Sequence, residues 1–221
     1  MTPAFDDLHL LGAPAPWEVL RARFRWPAPA QLNIAQLCCT RWALHAPERE
    51  ALRYIRPDGE RRSYTYLQLD RASRRFAHAL AAHGVGRGDR VAVLLPQTPE
   101  AVLTHLAAYR LGAIVVPLFT LFGADALAYR LSDSGAKALI TDAANLEKVV
   151  GLRDGLPELA SIFSIDGRDW GVFGFWQELG KAADDPVMAD TAPDDPAFIS
   201  YTSGTTGPPK GALHGHRVLL G

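Results

Sequence analysis

A run of glycines, hydroxyl-bearing residues and one lysine near the end of the chain has the groups needed to hold a polyphosphate. Gly204 and Gly207 allow backbone angles that other residues avoid, and they leave peptide N–H groups free to face phosphate oxygens. Lys210 adds a positive charge whose hydrogen bonds to phosphate would be charge-assisted. The hydroxyl donors of the same run are Thr202, Ser203, Thr205 and Thr206. We therefore predict a phosphate-binding loop in this segment.

This loop differs from the more widespread nucleotide loop, in which glycine directly precedes the lysine and serine or threonine follows it. Here Pro209 precedes Lys210 and Gly211 follows it. A solvated turn is the alternative for a segment rich in glycine, threonine and proline. The length of the pattern, together with the apolar strand predicted at 197–201, favours the phosphate loop.

Other residues capable of chemistry form weaker patterns. His214 and His216 would share one face of an extended segment, but no Cys, Asp or Glu lies nearby at ligand spacing. We expect His216 near the start of a helix instead of in a metal site. The adjacent Cys38 and Cys39 disfavour an ordinary disulfide and indicate a reducing compartment. We expect both cysteines to be apolar filler in a helix, because a metal site would need two further ligands.

The composition is that of a globular protein with small polar ligands. The 221 residues are 48% hydrophobic and 21% charged, with a formal net charge of -1. This charge gives no electrostatic basis for binding nucleic acid or an acidic membrane surface. The first eleven residues lack a secretory signal pattern, and no segment has the uninterrupted apolar length of a transmembrane span. We therefore expect a soluble, cytoplasmic protein.

The elements preceding the loop alternate as they do in a parallel sheet. Short apolar runs occur at 91–95, 113–117, 137–140, 161–165 and 197–201, and helical patterns occur at 98–111, 127–131, 146–150 and 173–183. Thr98 is the predicted N-cap of the first of these helices, with Pro99 as its first residue. Runs that are apolar on both faces and alternate with helices predict an α/β fold, with a mostly parallel sheet flanked by helices.

The amino-terminal part is predicted to be an extended arm and a hairpin joined by a helix. Recurrent proline predicts the extended arm over residues 1–30, ahead of one domain at 31–221. Three further elements are predicted before the sheet: a helix at 33–45, a hairpin at 51–64 and a helix ending at Gly84. Thr65 and Gln68 form a capping-box pattern at the start of the last helix.

The segment Ser203–Gly211 resembles the signature of the adenylate-forming (AMP-binding) superfamily. That signature, Ser-Gly-Thr-Thr-Gly-x-Pro-Lys-Gly, is matched at every fixed position. The superfamily includes acyl-CoA synthetases, peptide-synthetase adenylation domains and luciferases. Three upstream segments resemble further blocks of the family: Tyr64–Leu69, Gly88–Ala92 and Leu111–Leu118. The resemblance covers most of the chain and implies an incomplete amino-terminal domain of an acyl-CoA synthetase-like fold.

The resemblance implies an ATP-dependent acid–CoA ligase. In this family a carboxylate is joined to the α-phosphate of ATP with magnesium present, and the CoA-ligase branch then transfers the acyl group to CoA. By resemblance, the loop from Thr202 to Lys210 would hold the β- and γ-phosphates, and Thr202 is also the position associated with Mg²⁺. The run 118–123 resembles that of synthetases for short- or medium-chain aliphatic acids. An aryl-CoA ligase and a peptide-synthetase adenylation domain are the enzymatic alternatives.

The family's adenine- and ribose-binding residues, its magnesium-associated glutamate and its catalytic lysine follow the loop in sequence, so no catalytic residue is assigned here. We therefore expect the 221-residue polypeptide alone to be inactive. The competing class is a truncated, non-catalytic relative that binds nucleotide or a partner. We also expect self-association through the exposed face of an unfinished sheet.

Overall fold

All five apolar runs predicted as strands lie side by side in one sheet. The computed structural model describes residues 16–23, 28–167, 171–202 and 207–220. Its strands are β1 (Glu50–Ile55), β2 (Arg61–Thr65), β3 (Arg90–Leu94), β4 (Ile114–Pro117), β5 (Ala136–Thr141), β6 (Ser161–Ser164), β7 (Phe173–Gly174), β8 (Pro196–Thr202) and β9 (Lys210–Gly215). Within this described part, β1 and β2 form the predicted hairpin, and the other seven strands form a sheet in the order β7-β6-β5-β3-β4-β8-β9.

The sheet is parallel except at one edge, where β8 and β9 pair antiparallel. The prediction of a mostly parallel α/β fold is therefore confirmed. Two strands were not predicted. The short β7 lies at the start of the segment predicted as a helix, and β9 follows the predicted phosphate loop.

The helices predicted between the strands are confirmed. The α-helices are α1 (Trp17–Arg23), α2 (Arg41–His45), α3 (Tyr66–Ala82), α4 (Pro99–Arg110), α5 (Ala124–Ser134), α6 (Ala143–Val150) and α7 (Phe175–Lys181), with a π-helical segment at Gln36–Thr40 and 3₁₀ turns at Arg153–Gly155 and His216–Leu220. Thr65 caps α3 as predicted, because its side chain accepts from the Gln68 N–H and the Gln68 side chain accepts from the Thr65 N–H. No helix in the described ranges has both the length and the apolar character of a membrane-crossing segment.

Alternating side chains of the central strands enter two separate cores. Val91 and Val93 of β3 pack with residues of α3, α4 and α7 on one face of the sheet. Ala92 and Leu94 pack with residues of α5 and α6 on the other face. Because both faces are covered, the strands are nearly continuous apolar runs, as is typical of parallel sheets.

The prediction of an extended arm is wrong at Trp17–Arg23, which forms α1. Proline is tolerated in the first turn of a helix, where its missing N–H would have no partner, and Pro16 precedes α1 directly. No further proline occurs before Pro27, so the intervening residues are free to continue the helix. Residues 1–15 and 24–27 lie outside the described residues, and the domain boundary at residue 31 stays a prediction.

The helix predicted at 33–45 contains a π-helical segment that carries both cysteines. Cys39 is buried, and burial raises the pKa of its thiol to about 12, with the nearby Arg110 opposing the shift. The expectation of an apolar filler is confirmed for Cys39 and is wrong for Cys38, which is exposed. Both are free cysteines.

An arginine buried inside the domain joins this first helical segment to α3 and α4. The side chain of Arg110 is only 1% exposed, and its Nη2 donates to Asp70 Oδ1 at 2.6 Å. It also donates to the hydroxyls of Thr40 and Ser73, at 2.9 Å each. Asp70 in turn accepts from the Thr40 hydroxyl at 2.7 Å. Because a buried charge is costly unless it is paired and hydrogen-bonded, this network fixes how the three segments pack.

Two histidines, the half-buried His105 and the buried His216, are held in the neutral form. Burial lowers the pKa of His105 to about 4. Burial also lowers the pKa of His216, while Asp195 opposes the shift and Arg87 adds to it. His216 Nδ1 accepts a hydrogen bond from the Ile34 N–H at 3.2 Å, which connects the end of the described chain to its first long helical segment.

Substitution of Asp70 by leucine is expected to lower the free energy of unfolding by about 3–5 kcal/mol, because Arg110 would stay buried without its counter-charge. The double variant Asp70→Leu/Arg110→Met should recover most of this loss. Chemical denaturation measures both effects. Glu60→Gln, in an exposed ion pair with Arg56, is the control and should change stability little. An Asp70→Leu variant as stable as the wild type would contradict the proposed role of the network.

The free energy of unfolding should fall as the pH drops from about 6.5 toward about 4, because the unfolded histidines bind protons that the folded ones exclude. The stabilisation that comes from the neutral histidines is fully present above their pKa in the unfolded chain. It is lost as the pH falls to their lowered pKa in the folded protein. Urea denaturation near about pH 7.5 and about pH 5 measures this. His105→Gln and His216→Gln should each reduce the pH dependence relative to the wild type. Equal pH dependence in all variants would refute the assignment.

Candidate functional site

The predicted phosphate loop connects two antiparallel strands at the edge of the sheet. Thr202 is the last residue of β8, Lys210 is the first residue of β9, and the two are cross-strand partners. Thr202 stands at the carboxyl end of a strand that runs parallel to β4, which is where ligands bind in open α/β sheets. The structure thus brings Thr202 and Lys210 together at the mouth of the loop.

The predicted site residues fall into two groups. Thr202, Gly207 and Lys210 are described and exposed to solvent. The remaining residues lie outside the described residues, and their roles stay predictions: Ser203, Gly204, Thr205 and Thr206.

The polar groups at the mouth of the loop are available to a ligand. Across the described part of the chain, no carboxylate lies within ion-pair distance of the Lys210 ammonium. The Thr202 hydroxyl likewise makes no hydrogen bond to another described residue. An exposed ammonium beside an exposed hydroxyl suits an anion with several oxygen atoms, such as a polyphosphate.

Glycine has two different roles in the loop and in the strand that follows it. Gly207 has a φ of +85°, in the left-handed region that favours glycine, and a Cβ there would meet no atom of the described residues within 4 Å. The predicted use of an unusual backbone angle is therefore confirmed at Gly207. At Gly211 a Cβ would lie 2.8 Å from Ile199 Cγ2 and 3.3 Å from Tyr201 Cζ. The last glycine of the signature therefore lets β9 pack against the side chains of β8.

Sequence analysis missed two contacts between α5 and the strands that flank the loop. The Tyr129 hydroxyl donates to the Pro209 carbonyl at 3.0 Å. The Tyr201 hydroxyl donates to Asp133 Oδ2 at 2.6 Å, and burial together with this carboxylate raises the pKa of Tyr201. Tyr129 and Asp133 are four residues apart and so share one face of α5, but that spacing alone does not reveal what the face contacts.

The two histidines after the loop do not meet in a metal site. The imidazole of His214 stacks on the Phe198 ring, with centroids 4.5 Å apart. His216 is buried and begins the 3₁₀ turn at His216–Leu220, which confirms its predicted position at a helix start. Within the ranges that the structure describes, no three His, Cys, Asp or Glu side chains are grouped so that they could hold a metal ion.

A groove of about 610 Å³ lies beside α5 on the side that faces the carboxyl end of α6. Its lining includes Tyr129, Asp133 and Leu152 but neither Thr202 nor Lys210. The groove and the phosphate loop are therefore separate features that share Tyr129, and we assign no ligand to the groove.

Comparison with known proteins agrees with the fold and the loop. The family model for AMP-binding enzymes matches residues 39–221. Acetyl-coenzyme A synthetase of Sodalis glossinidius is 34% identical over 209 residues, which cover 86% of this chain and 32% of that protein. The long-chain-fatty-acid–CoA ligase FadD13 of Mycobacterium tuberculosis is 36% identical over 167 residues, which cover 75% of this chain and 32% of that protein.

A solved structure extends the likeness to three dimensions. The acyl-CoA synthetase of Brucella canis superposes with a TM-score of 0.81 at 30% identity, over 94% of this chain and 39% of that one. The chain spans about a third of the length of each of the two curated relatives named above. Because the family model covers most of the chain, including the loop and both strands that flank it, the chain belongs to the AMP-binding enzyme family.

Proposed function

We propose that this chain is part of an ATP-dependent acid–CoA ligase, which adenylates a carboxylic acid and then transfers the acyl group to CoA. The observation that carries the proposal is the hairpin in which Thr202 and Lys210 face each other across the mouth of the family's signature loop. The relatives named acetyl-coenzyme A synthetase and long-chain-fatty-acid–CoA ligase support the same reaction class.

The proposed first step places the triphosphate of ATP at the tip of this hairpin. A carboxylate oxygen of the acid attacks the α-phosphorus, and the bond from that phosphorus to the oxygen that bridges the α- and β-phosphates breaks. The bridging oxygen keeps the electron pair, so negative charge builds up on the leaving pyrophosphate. Lys210 would offset that charge, and the Thr202 hydroxyl would donate to the same phosphates.

The Thr202 hydroxyl at the mouth of the loop also fits a magnesium ion. Mg²⁺ prefers oxygen ligands and keeps several waters, so a protein supplies only one or two groups beside the substrate phosphates. The exposed Thr202 hydroxyl, which has no hydrogen bond to another described residue, suits that role. When bound there, the ion would neutralise phosphate charge.

We propose a short- or medium-chain aliphatic acid as the substrate. Relatives named acetyl-coenzyme A synthetase support a short acid, whereas the ligase FadD13 is named for long-chain acids. Pyrophosphate release by the full-length protein with acetate, butyrate, octanoate and benzoate tests the choice. We expect faster release with an aliphatic acid than with benzoate, and preference for benzoate would favour an aryl-CoA ligase instead.

We also propose that the 221-residue chain alone does not complete the reaction. The support is that it spans about a third of the length of acetyl-coenzyme A synthetase relatives. Pyrophosphate release by the purified chain, supplied with ATP and acetate, would contradict this part of the proposal. A cytoplasmic location is proposed with it, supported by the free thiols of Cys38 and Cys39.

Replacement of Lys210 by alanine is expected to lower kcat/KM for ATP on the order of 100-fold in the full-length protein, because the leaving pyrophosphate loses its counter-charge. Lys210→Arg should retain part of the activity. Lys181→Ala is the matched control, since Lys181 lies on α7 in an exposed ion pair with Glu178. A pyrophosphate-release assay measures all three variants, and unchanged turnover in Lys210→Ala would remove Lys210 from the proposed role.

Gly207→Ala and Gly59→Ala form a matched pair that separates backbone strain from function. Gly59, in the turn between β1 and β2, has a φ of +87°, close to the +85° of Gly207, and a Cβ at either position meets nothing within 4 Å. Each substitution should cost roughly 1 kcal/mol of stability. Only Gly207→Ala should reduce pyrophosphate release, because it disturbs a peptide that faces phosphate. Equal activity of the two variants would contradict the assigned role of the loop backbone.

A further inference from the structure

Helix α5 contacts the residue immediately before Thr202 and the residue immediately before Lys210. Tyr201 directly precedes Thr202, and its hydroxyl donates to Asp133 Oδ2 at 2.6 Å. Pro209 directly precedes Lys210, and its carbonyl accepts from the Tyr129 hydroxyl at 3.0 Å. One face of α5 therefore contacts the chain on both sides of the loop.

Helix α5 is well placed to serve as a rigid support. Its inner face is anchored in the core by Leu127 and Leu131, which are 0% and 1% exposed. Its carboxyl end is held by Arg90 of β3, whose Nε donates to the Ser134 carbonyl at 2.6 Å and whose Nη2 donates to the Gly135 carbonyl. A contact with α5 thus ties the loop to the central strand of the sheet.

The two hydrogen bonds to α5 differ in whether the β-ladder also holds the residue that makes them. Tyr201 lies within β8, which pairs with β9 along its length and with β4 at Phe198. Pro208 and Pro209 have no backbone N–H, so neither can donate to the β-ladder. The hydrogen bond from the Tyr129 hydroxyl therefore holds the chain just before Lys210, where the two prolines give the ladder no donor, while Lys210 itself pairs with Thr202.

We propose that Tyr129 is a positioning residue for adenylation: by holding the Pro209 carbonyl, it keeps the Lys210 ammonium where the β- and γ-phosphates of ATP bind. This inference rests on the proposed function. Tyr129 does not touch the reacting atoms in this scheme and acts only through the backbone next to Lys210. Its influence should therefore be confined to the half-reaction that involves the β- and γ-phosphates.

The test compares the two half-reactions of the full-length protein. The first is pyrophosphate release at varied ATP and saturating acid, and the second is thioester formation from a supplied acyl-adenylate and CoA. Tyr129→Phe removes one hydroxyl and keeps the ring. It should lower kcat/KM for ATP by about fivefold, the equivalent of one hydrogen bond, mainly through a higher KM for ATP. Thioester formation should be unchanged, because an acyl-adenylate has no β- or γ-phosphate.

Tyr54→Phe is the matched control. Tyr54 lies in β1, in the hairpin outside the main sheet, and its hydroxyl has no hydrogen bond to another described residue. Both variants are also compared with the wild type by thermal unfolding. Tyr54→Phe should match the wild type in both half-reactions, so any selective loss in Tyr129→Phe reports the contact with Pro209.

The outcomes separate this inference from the function on which it rests. If the wild-type protein is active and Tyr129→Phe has the same kcat/KM for ATP, the inference is overturned and the proposed function stands. An equal slowing of both half-reactions in Tyr129→Phe also overturns it, because that result indicates a general structural defect. A wild-type protein that releases no pyrophosphate with any of the four acids overturns the proposed function and the inference together.

Discussion

The exclusion of water from both faces of the central strands is the constraint on which the rest of the structure depends. Side chains of β3 alternate between two cores, so helices have to cover the sheet on both sides. That arrangement leaves the ends of the strands as the places where polar groups stay in solvent. The loop after β8 lies at such an end, and its hydroxyl and ammonium groups can therefore remain exposed without cost to the core.

Most of the sheet could be predicted because buried parallel strands are short, apolar and separated by helices. The runs that begin at Val91 and Ala113 carry this signal clearly. The strand β9 does not, since five of its residues, including Lys210 and His214, are polar, small or both, and it is held by pairing with β8 instead of by its own burial. Helix α1 shows the opposite case: the frequent prolines around it predict no helix, yet Pro16 lies at the start of the segment, where a helix accepts proline.

The site was predictable where function depends on residue type and local order, and unpredictable where it depends on tertiary contact. Gly207 and Lys210 are recognisable from the signature because their backbone freedom and charge are properties of the residues themselves. Tyr129 is separated from Pro209 by 80 residues, and its hydroxyl meets that carbonyl only once α5 has packed beside the hairpin. Arg110 gave no signal for the same reason, because its partners Asp70 and Thr40 come from other segments.

The hydrogen bond from the Ile34 N–H to His216 spans 182 positions of sequence, and neighbouring bonds have a similar reach. The Leu32 N–H donates to the Thr191 carbonyl, and the Asn33 side-chain amide donates to the Thr191 hydroxyl. Contacts between such distant residues carry a large loop-closure entropy and form slowly. During synthesis from the amino terminus, the residues at 32–34 therefore leave the ribosome long before their partners. We expect this segment to be among the last parts of the domain to form its native contacts.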